Sequence, residues 1–400
     1  MASTPTSQKP ILIAGGGLAS LLLGRSLLRS NLPFLIFERD ASLVFRAQGY
    51  RLRLSTEGLA AIEAVLGPDA FRRFYDTCGK TGGAGFAAID PLTGETLGIQ
   101  HQSVAKEVLT SREGKIVGIA RGEMRRLFME GCEDCIRWSH HVTSYELTGD
   151  GVRAVFADGS KSVEGSMLVG GEGLRSEVAA QLSGGRIKVF DLGARGIHGQ
   201  APTTAFAGLG EGVFRLADRT SQPGGVLTLM TNVRPGEMHD PNVTFGWTMG
   251  GSPGVIKPPN DNYTIIGKPA ADMAKALTAA WHPRVKPLID NMLESEAAFW
   301  KITCSSPDGV PEWPNEPRVT VLGDAVHAMT PAGGMGANTA VRDAELLGRL
   351  LAEAGGYKEG VTDAYEKEMR VYASEAVRSS YGHAESSMGV KIDASTPTLA

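Results

Sequence analysis

Cysteine is scarce in this chain: four among 400 residues, at Cys78, Cys132, Cys135 and Cys304. That is too few for a disulfide scaffold at this length. Cys132 and Cys135 have redox or metal spacing, but no second cysteine pair or nearby histidine pair completes a zinc site. They follow a helical run and are read as core or helix-end thiols. Neither sign of charge is in large excess. With 40 Lys and Arg against 44 Asp and Glu the net charge is −4, so nothing points to a nucleic-acid partner. Long apolar runs are missing: Leu21–Leu28 is short and contains Arg25, which excludes a membrane span there. Met1–Pro10 is polar and lacks the basic-then-apolar order of a leader peptide. The final Pro397-Thr398-Leu399-Ala400 is not a peroxisomal address. No internal repeat or low-complexity segment is visible. The expectation is a cytoplasmic protein, monomer or weak homodimer, long enough for two domains with sizeable cores.

Glycine is what the chain has in quantity, 51 residues, which suits a backbone that approaches a ligand at several turns. One cluster stands at the start of an ordered pattern. Ile11–Ala14 reads as a buried parallel strand. Gly15-Gly16-Gly17-Leu18-Ala19-Ser20 follows at once, and Leu18–Ser30 is apolar all round, as a sheet-packed helix should be. Asn31-Leu32-Pro33 turns the chain into a second buried strand, Phe34–Phe37, closed by Glu38, 23 positions after Gly15. Strand, glycine turn, helix, strand and acid in that order form a dinucleotide-binding unit. Gly15 allows the tight turn, and Gly17 lets the backbone approach a pyrophosphate. The helix N-terminus aims free N–H groups at that anion, and the Glu38 carboxylate can accept both ribose hydroxyls. The third glycine of the pattern is Ser20, the mildest replacement where helix and sheet pack closely.

The rest of the chain divides in two kinds. Arg121–Glu130 is a helix with Met124, Leu127 and Phe128 on one face. His141–Gly170 reads as a small meander or hairpin ending in the apolar strand Met167-Leu168-Val169. From Arg186 to about Trp300 strand-like runs and Gly/Pro turns prevail until a helix at Ala270–Trp281, the mark of a mainly β domain. Arg318–Leu322 is again a buried strand, and it delivers Gly323-Asp324 to its C-terminal end, where parallel sheets bind ligands. Helices are expected at Asn338–Leu351 and Val361–Glu385. No second glycine fingerprint follows Ser20, which argues against a separate nicotinamide domain.

The tract Gly323-Asp324-Ala325-Val326-His327 with Pro331, Gly334, Gly336 and Asn338 is the second informative stretch. With the N-terminal glycines it suggests one FAD held from both ends. Three separated patches then resemble a single family. Gly15-x-Gly17 with Glu38 looks like its first motif. Gly171-Glu172-Gly173-Leu174-Arg175-Ser176 looks like its second, normally Gly-x-Asp-Gly-x-x-Ser. The Gly323–Asn338 tract, continued by Asp343-Ala344, looks like its third. The chain resembles the single-component FAD-dependent aromatic monooxygenases typified by para-hydroxybenzoate hydroxylase, with a closer resemblance to salicylate-hydroxylase-like and fungal secondary-metabolism members. The resemblance covers almost the whole chain, weakly across 186–300.

That resemblance implies an α/β fold of the para-hydroxybenzoate hydroxylase type. A Rossmann-like FAD-binding domain (8–75, 102–185 and 301–360) would carry an inserted, mainly β substrate domain (76–101 and 186–300) and a C-terminal helical segment (361–400). It implies non-covalent FAD, with NADPH or NADH as a transient co-substrate. Oxygen would reach an electron-rich carbon through a flavin C4a-hydroperoxide. Glu38 would bind the adenosine ribose, and Arg46 and Gly49 would contact the cofactor. Arg121 would reach the ribityl–phosphate region, and Asp324 would take a ribityl hydroxyl. Pro331 would lie over the reacting face, and Gly334 and Gly336 would leave room for the ring. The amides near Ala337 and Asn338 start a helix whose dipole would favour negative charge at the flavin. His327 is read as packing rather than as a base. Arg195, His198, Gln200 and Tyr263 are substrate-domain candidates. Arg195 is singled out because a fixed guanidinium can pair with a phenolate or enolate oxygen. The Trp-x-Trp-x-Ile signature of flavin halogenases is absent. Glu172 stands where the family has Asp, credited there with FAD and NAD(P)H interactions. It keeps open an alternative, a flavoprotein that retains FAD while catalysing a non-redox cyclisation.

Overall fold

In the computed structural model, residues 8–43, 51–82, 86–100, 111–260 and 265–399 are described. Ile11–Ala14 is apolar at every position and buried on both sides, so it takes the centre of a sheet. That sheet has five parallel strands in the order Val319–Val321, Met167–Gly170, Ile11–Ala14, Phe34–Phe37, Ile136–Arg137. Helices Leu18–Arg29 and Gly336–Ala354 pack together beside it, and Tyr365 and Met369 of helix Val361–Met388 enter the same core. All three motifs therefore meet at the C-terminal ends of adjacent strands.

The second layer is a seven-stranded sheet in the order Ala298–Ser305, Val189–Pro202, Thr244–Gly251, Leu227–Val233, Gly212–Asp218, Phe86–Ile89, Thr96–Gln100. One face carries Ile197, Met249, Leu229 and Leu216 into a core closed by helices Lys268–Leu277 and Pro287–Asp290. The helix expected at Ala270–Trp281 is therefore shorter at its end. Trp281 lies past it, donating from Nε1 to Asp218 at 3.1 Å. The opposite face carries Ala194, Ile302 and Cys304, which pack on Val377, Ala384 and Met388 of the C-terminal helix. Trp300, Met329 and Ala332 join that cluster.

Two features were not anticipated. Helices Thr56–Leu66 and Pro68–Thr77 follow the second strand, and Arg51–Leu54, Lys115–Ala120 and Gly79–Gly82 form a three-stranded antiparallel sheet. The meander expected over 141–170 resolves into the pair Val142–Leu147 and Val152–Phe156 plus the parallel strand. Cys132 is buried and Cys135 half-buried, both as free thiols. Burial pushes the Cys132 thiol up to about 12. Among the described residues no helix is long and apolar enough to cross a membrane.

Candidate functional site

The site starts where the first and second motifs touch. Gly15 has φ +84°, and a Cβ there would sit 2.5 Å from the Gly171 carbonyl oxygen. Only glycine satisfies both demands. Its N–H donates to Phe37 at 2.7 Å, which fixes the turn against the second strand. Helix Leu18–Arg29 opens at Gly17 with no side-chain cap. Its first-turn N–H groups thus lack the side-chain partner that many helices supply, the arrangement that binds an anionic diphosphate. Ser20 is 1% exposed, and its bulk is admitted because Gly171 faces it. A Cβ on Gly171 would meet the Ser20 hydroxyl at 2.3 Å.

Glu38 closes the neighbouring strand as the spacing requires. One carboxylate oxygen accepts the Gly16 N–H at 2.7 Å and the other the Asp40 N–H at 2.9 Å. Arg125, buried, donates to Glu38 at 3.2 Å and to the Gly16 carbonyl at 2.9 Å. Arg125 did not emerge from the sequence. It stands one helical turn beyond Arg121, which opens helix Arg121–Met129, and the i,i+4 spacing sets both on one side. Arg46 and Gly49 lie outside the described residues.

The third motif is held from below. Gly323, at φ +63°, turns the chain from strand Val319–Val321 into the short helix Asp324–His327. Asp324 is exposed at the start of that helix, yet the surrounding protein raises its carboxyl pKa, with the help of Asp343 and against the pull of His327 and Arg121. Arg121 and Asp324 are thus close enough to interact. The fully buried Asp343 accepts the Gly323 N–H at 2.7 Å, His327 Nε2 at 2.6 Å and the Tyr372 hydroxyl at 2.7 Å. His327 is therefore an interior partner of Asp343. Burial works to lower its pKa, but Asp343 and Asp324 raise it overall.

Beyond this turn, Gly333 and Gly334 adopt φ +83° and +65°, and helix Gly336–Ala354 begins without a side-chain cap. Pro331 is exposed at the head of that loop. Asn338 ties the loop to the three-stranded sheet. Its amide donates to Gly334 at 2.8 Å and Arg53 at 2.9 Å and accepts from Ser55 at 2.8 Å. Ala337 is half-buried at the same helix start. Glu172 turns inward. Its oxygens accept the Ser176 hydroxyl at 2.8 Å and the Val178 N–H at 3.2 Å, at the start of helix Glu177–Ser183. Burial lifts its carboxyl to about 7, against those hydrogen bonds.

On the seven-stranded sheet, Ala298, His198, Thr248, Met230 and Arg215 are successive direct partners. They share the face that turns Trp300 and Ile302 toward Met329 and Ala332 of the glycine loop. His198 is buried, which drops its pKa to about 4 and keeps the imidazole neutral at pH 7. Arg195 is buried on the same strand, and Asp191 holds its guanidinium at 2.6 and 3.2 Å. Gln200 accepts from Thr244 at 2.7 Å. Tyr263 lies outside the described residues.

These cradles fit a dinucleotide flavin: two glycine turns, two uncapped helix starts and a carboxylate at each end. Residues 84–380 match the family described as FAD binding domain. The chain belongs to that FAD-binding family, and its cofactor is FAD. It is 30% identical over 388 residues to the dual O-methyltransferase/FAD-dependent monooxygenase elcB of Phaeosphaeria nodorum, covering 88% of this chain. It spans only 41% of that relative's length. The FAD-dependent monooxygenase sor5 of Hypocrea jecorina is 27% identical over 86% of this chain and 74% of its own. Among solved structures, Klebsiella pneumoniae HpxO complexed with FAD and uric acid superposes with a TM-score of 0.72 at 19% identity, covering 95% and 89% of the two chains. A salicylate hydroxylase substrate complex gives 0.69 at 17%, covering 97% and 91%. At these identities the structures speak for the fold, which is the para-hydroxybenzoate/salicylate hydroxylase type.

Proposed function

We propose that this chain is an NAD(P)H- and O2-dependent monooxygenase of secondary-metabolite biosynthesis. It would hydroxylate or epoxidise an electron-rich small molecule of aromatic, polyketide or terpenoid/alkaloid type. The observation that carries the reading is the meeting of two surfaces. The sheet face bearing Trp300, His198, Thr248 and Met230 is turned to the loop of Met329, Ala332 and the glycines that would seat the flavin ring. When reduced, FAD supplies the electrons that activate oxygen; the chain supplies position, dryness and electrostatics. Glu38 and Arg125 would hold the adenosine end, and Asp324 and Arg121 the ribityl and phosphate. The helix start at Gly336–Asn338 would favour a negatively charged reduced ring. Trp300 and Met230 offer apolar area to a flat substrate. Neutral His198 can hydrogen-bond a phenol or enol without adding charge. Glu172, engaged with Ser176 and Val178, would shape the second-motif turn from within.

The test is anaerobic mixing of the yellow holoprotein with NADPH and with NADH, with candidate electron-rich aromatics, followed by stopped-flow mixing with oxygen. Bleaching of the flavin, then substrate-dependent reoxidation with oxygen incorporated into product, is the expected result. Product formed while the flavin stays oxidised with both nucleotides would replace this reading by the non-redox cyclisation.

A further inference from the structure

Arg51 and Arg234 come from different sheets and meet over one glycine. Arg51 begins the three-stranded sheet, and Arg234 follows strand Leu227–Val233 of the seven-stranded one. A Cβ on Gly79 would lie 2.4 Å from Arg234 Cδ and 2.6 Å from Arg51 Nη2. The glycine is what allows both side chains into the same space. Arg234 is 8% exposed. Its Nε donates to Glu237 at 2.6 Å, its plane lies over Phe245 at 4.9 Å, and its buried Nη1 has no hydrogen-bond partner. The hydrogen bond of Arg51 runs from Nη2 to the Gly118 carbonyl at 2.9 Å. Two guanidiniums thus share one carboxylate, Glu237. Burial and the neighbouring Arg234 together lower the Arg51 pKa to about 10. With two buried like charges over a single carboxylate and Arg234 Nη1 without a partner, a further anion would stabilise the pair.

We propose that Arg51 and Arg234, packed together over Gly79, form a binding site for an oxyanion, a carboxylate or phosphate on a small-molecule ligand. The fork of a guanidinium matches the two oxygens of either group. The site lies beside the flavin loop. Arg53, two residues along and on the same face of the strand, donates to the Gly333 carbonyl at 2.8 Å. The oxyanion has two sources under the monooxygenase reading, an acidic substrate or the phosphates of the nicotinamide nucleotide. The site itself does not depend on turnover.

The experiment is calorimetric titration of the oxidised holoprotein with benzoate and with inorganic pyrophosphate, at constant ionic strength in chloride. Saturable binding is expected. Arg234→Gln and Arg51→Gln should each weaken it roughly tenfold or more with FAD content unchanged. Gly79→Ala, whose methyl would push both arginine side chains out of place, should do the same; should it fail to fold, the two Gln variants decide. Preference for benzoate assigns the site to a substrate carboxylate. Preference for pyrophosphate, with weaker NADPH and NADH binding in Arg234→Gln, assigns it to the nucleotide. No binding of either probe to the wild type, or equal affinity in wild type and both Gln variants, overturns the proposal. Neither result bears on whether the flavin is reduced or oxygen is transferred, so the monooxygenase reading stands or falls separately.

Discussion

Glu172→Gln should stabilise the protein at pH 8 and leave it unchanged at pH 4. The carboxyl has a pKa of about 7 in the folded chain against 4.5 for the free group, chiefly because burial penalises its charge. A folded state that holds its proton more tightly than the unfolded one gains stability below the unfolded pKa. It loses that gain as pH rises from 4.5 through 7. At 1.36 kcal/mol per pKa unit the loss is about 3 kcal/mol. Glutamine is neutral throughout and nearly isosteric. Its oxygen can still accept the Val178 N–H, and its amide group can donate toward Ser176. Urea unfolding at half-unit steps from pH 4 to 8, with FAD at fixed saturating concentration, gives both stability curves. Their difference should be flat at the acid end, rise across the window and level off above pH 7. Parallel curves would refute the reasoning, because they would mean that Glu172 ionises at no cost and is solvated where the structure has it capping a helix.

Asp324→Ala, Glu38→Ala and Arg121→Ala should each weaken FAD retention, by roughly 1.5–3 kcal/mol per charge-assisted hydrogen bond lost, measured as the dissociation constant of released flavin. Glu38→Ala should also leave the buried Arg125 without its carboxylate, so its thermal stability should fall more than that of the other two. His198→Gln should flatten the acid limb of stability. A histidine whose pKa falls from 6.5 to about 4 on folding costs stability as pH drops through that interval, about 3 kcal/mol in all, which unfolding at pH 7 and pH 4.5 would detect. Asp343→Asn should loosen FAD more than it lowers apoprotein stability, because the Gly323–Asp324 turn loses a charged acceptor; an unchanged FAD affinity would show that the turn holds its shape unaided.

Four strands of the parallel core were legible because they are buried on both faces and read as apolar runs, each ended by glycine or acid; the fifth, the short Ile136–Arg137 with its exposed arginine, was not. The three-stranded sheet was not. Arg51-Leu52-Arg53-Leu54 alternates charge with leucine, a pattern that resembles a solvated edge. Its arginines instead turn inward, one to Gly118 and one to Gly333, and its partner strand Lys115–Ala120 is far along the chain. Periodicity carries no information about such a partner. The carboxylates Glu38, Asp324 and Asp343 were legible from motif spacing, whereas Arg125 and Tyr372 were not. Each acts through a group that the motif names, Glu38 and Asp343 respectively, and nothing in the local pattern of a helix marks which polar residue will be drawn under a neighbouring turn.

The two departures from the motifs share a physical logic. Ser20 adds a hydroxymethyl group where helix and sheet are in contact, and the volume is found on the other side of the contact, at Gly171, which has none to give up. Glu172 adds a methylene to the second-motif acid, and that extra reach lets its carboxyl fold back to Ser176 and the Val178 N–H. A side chain one bond shorter would have to reach both from farther away. Both changes fall within the contact between the first and second motifs, where Gly15 also packs on Gly171. A substitution at Gly171 should therefore be less well tolerated here than in a relative with glycine at the third fingerprint position. Gly171→Ala would meet Ser20 first, and pairing it with Ser20→Gly should recover part of the loss in FAD affinity. Failure of the double variant to exceed Gly171→Ala would mean that the close approach of the Gly171 backbone to Gly15, not the serine, sets the limit.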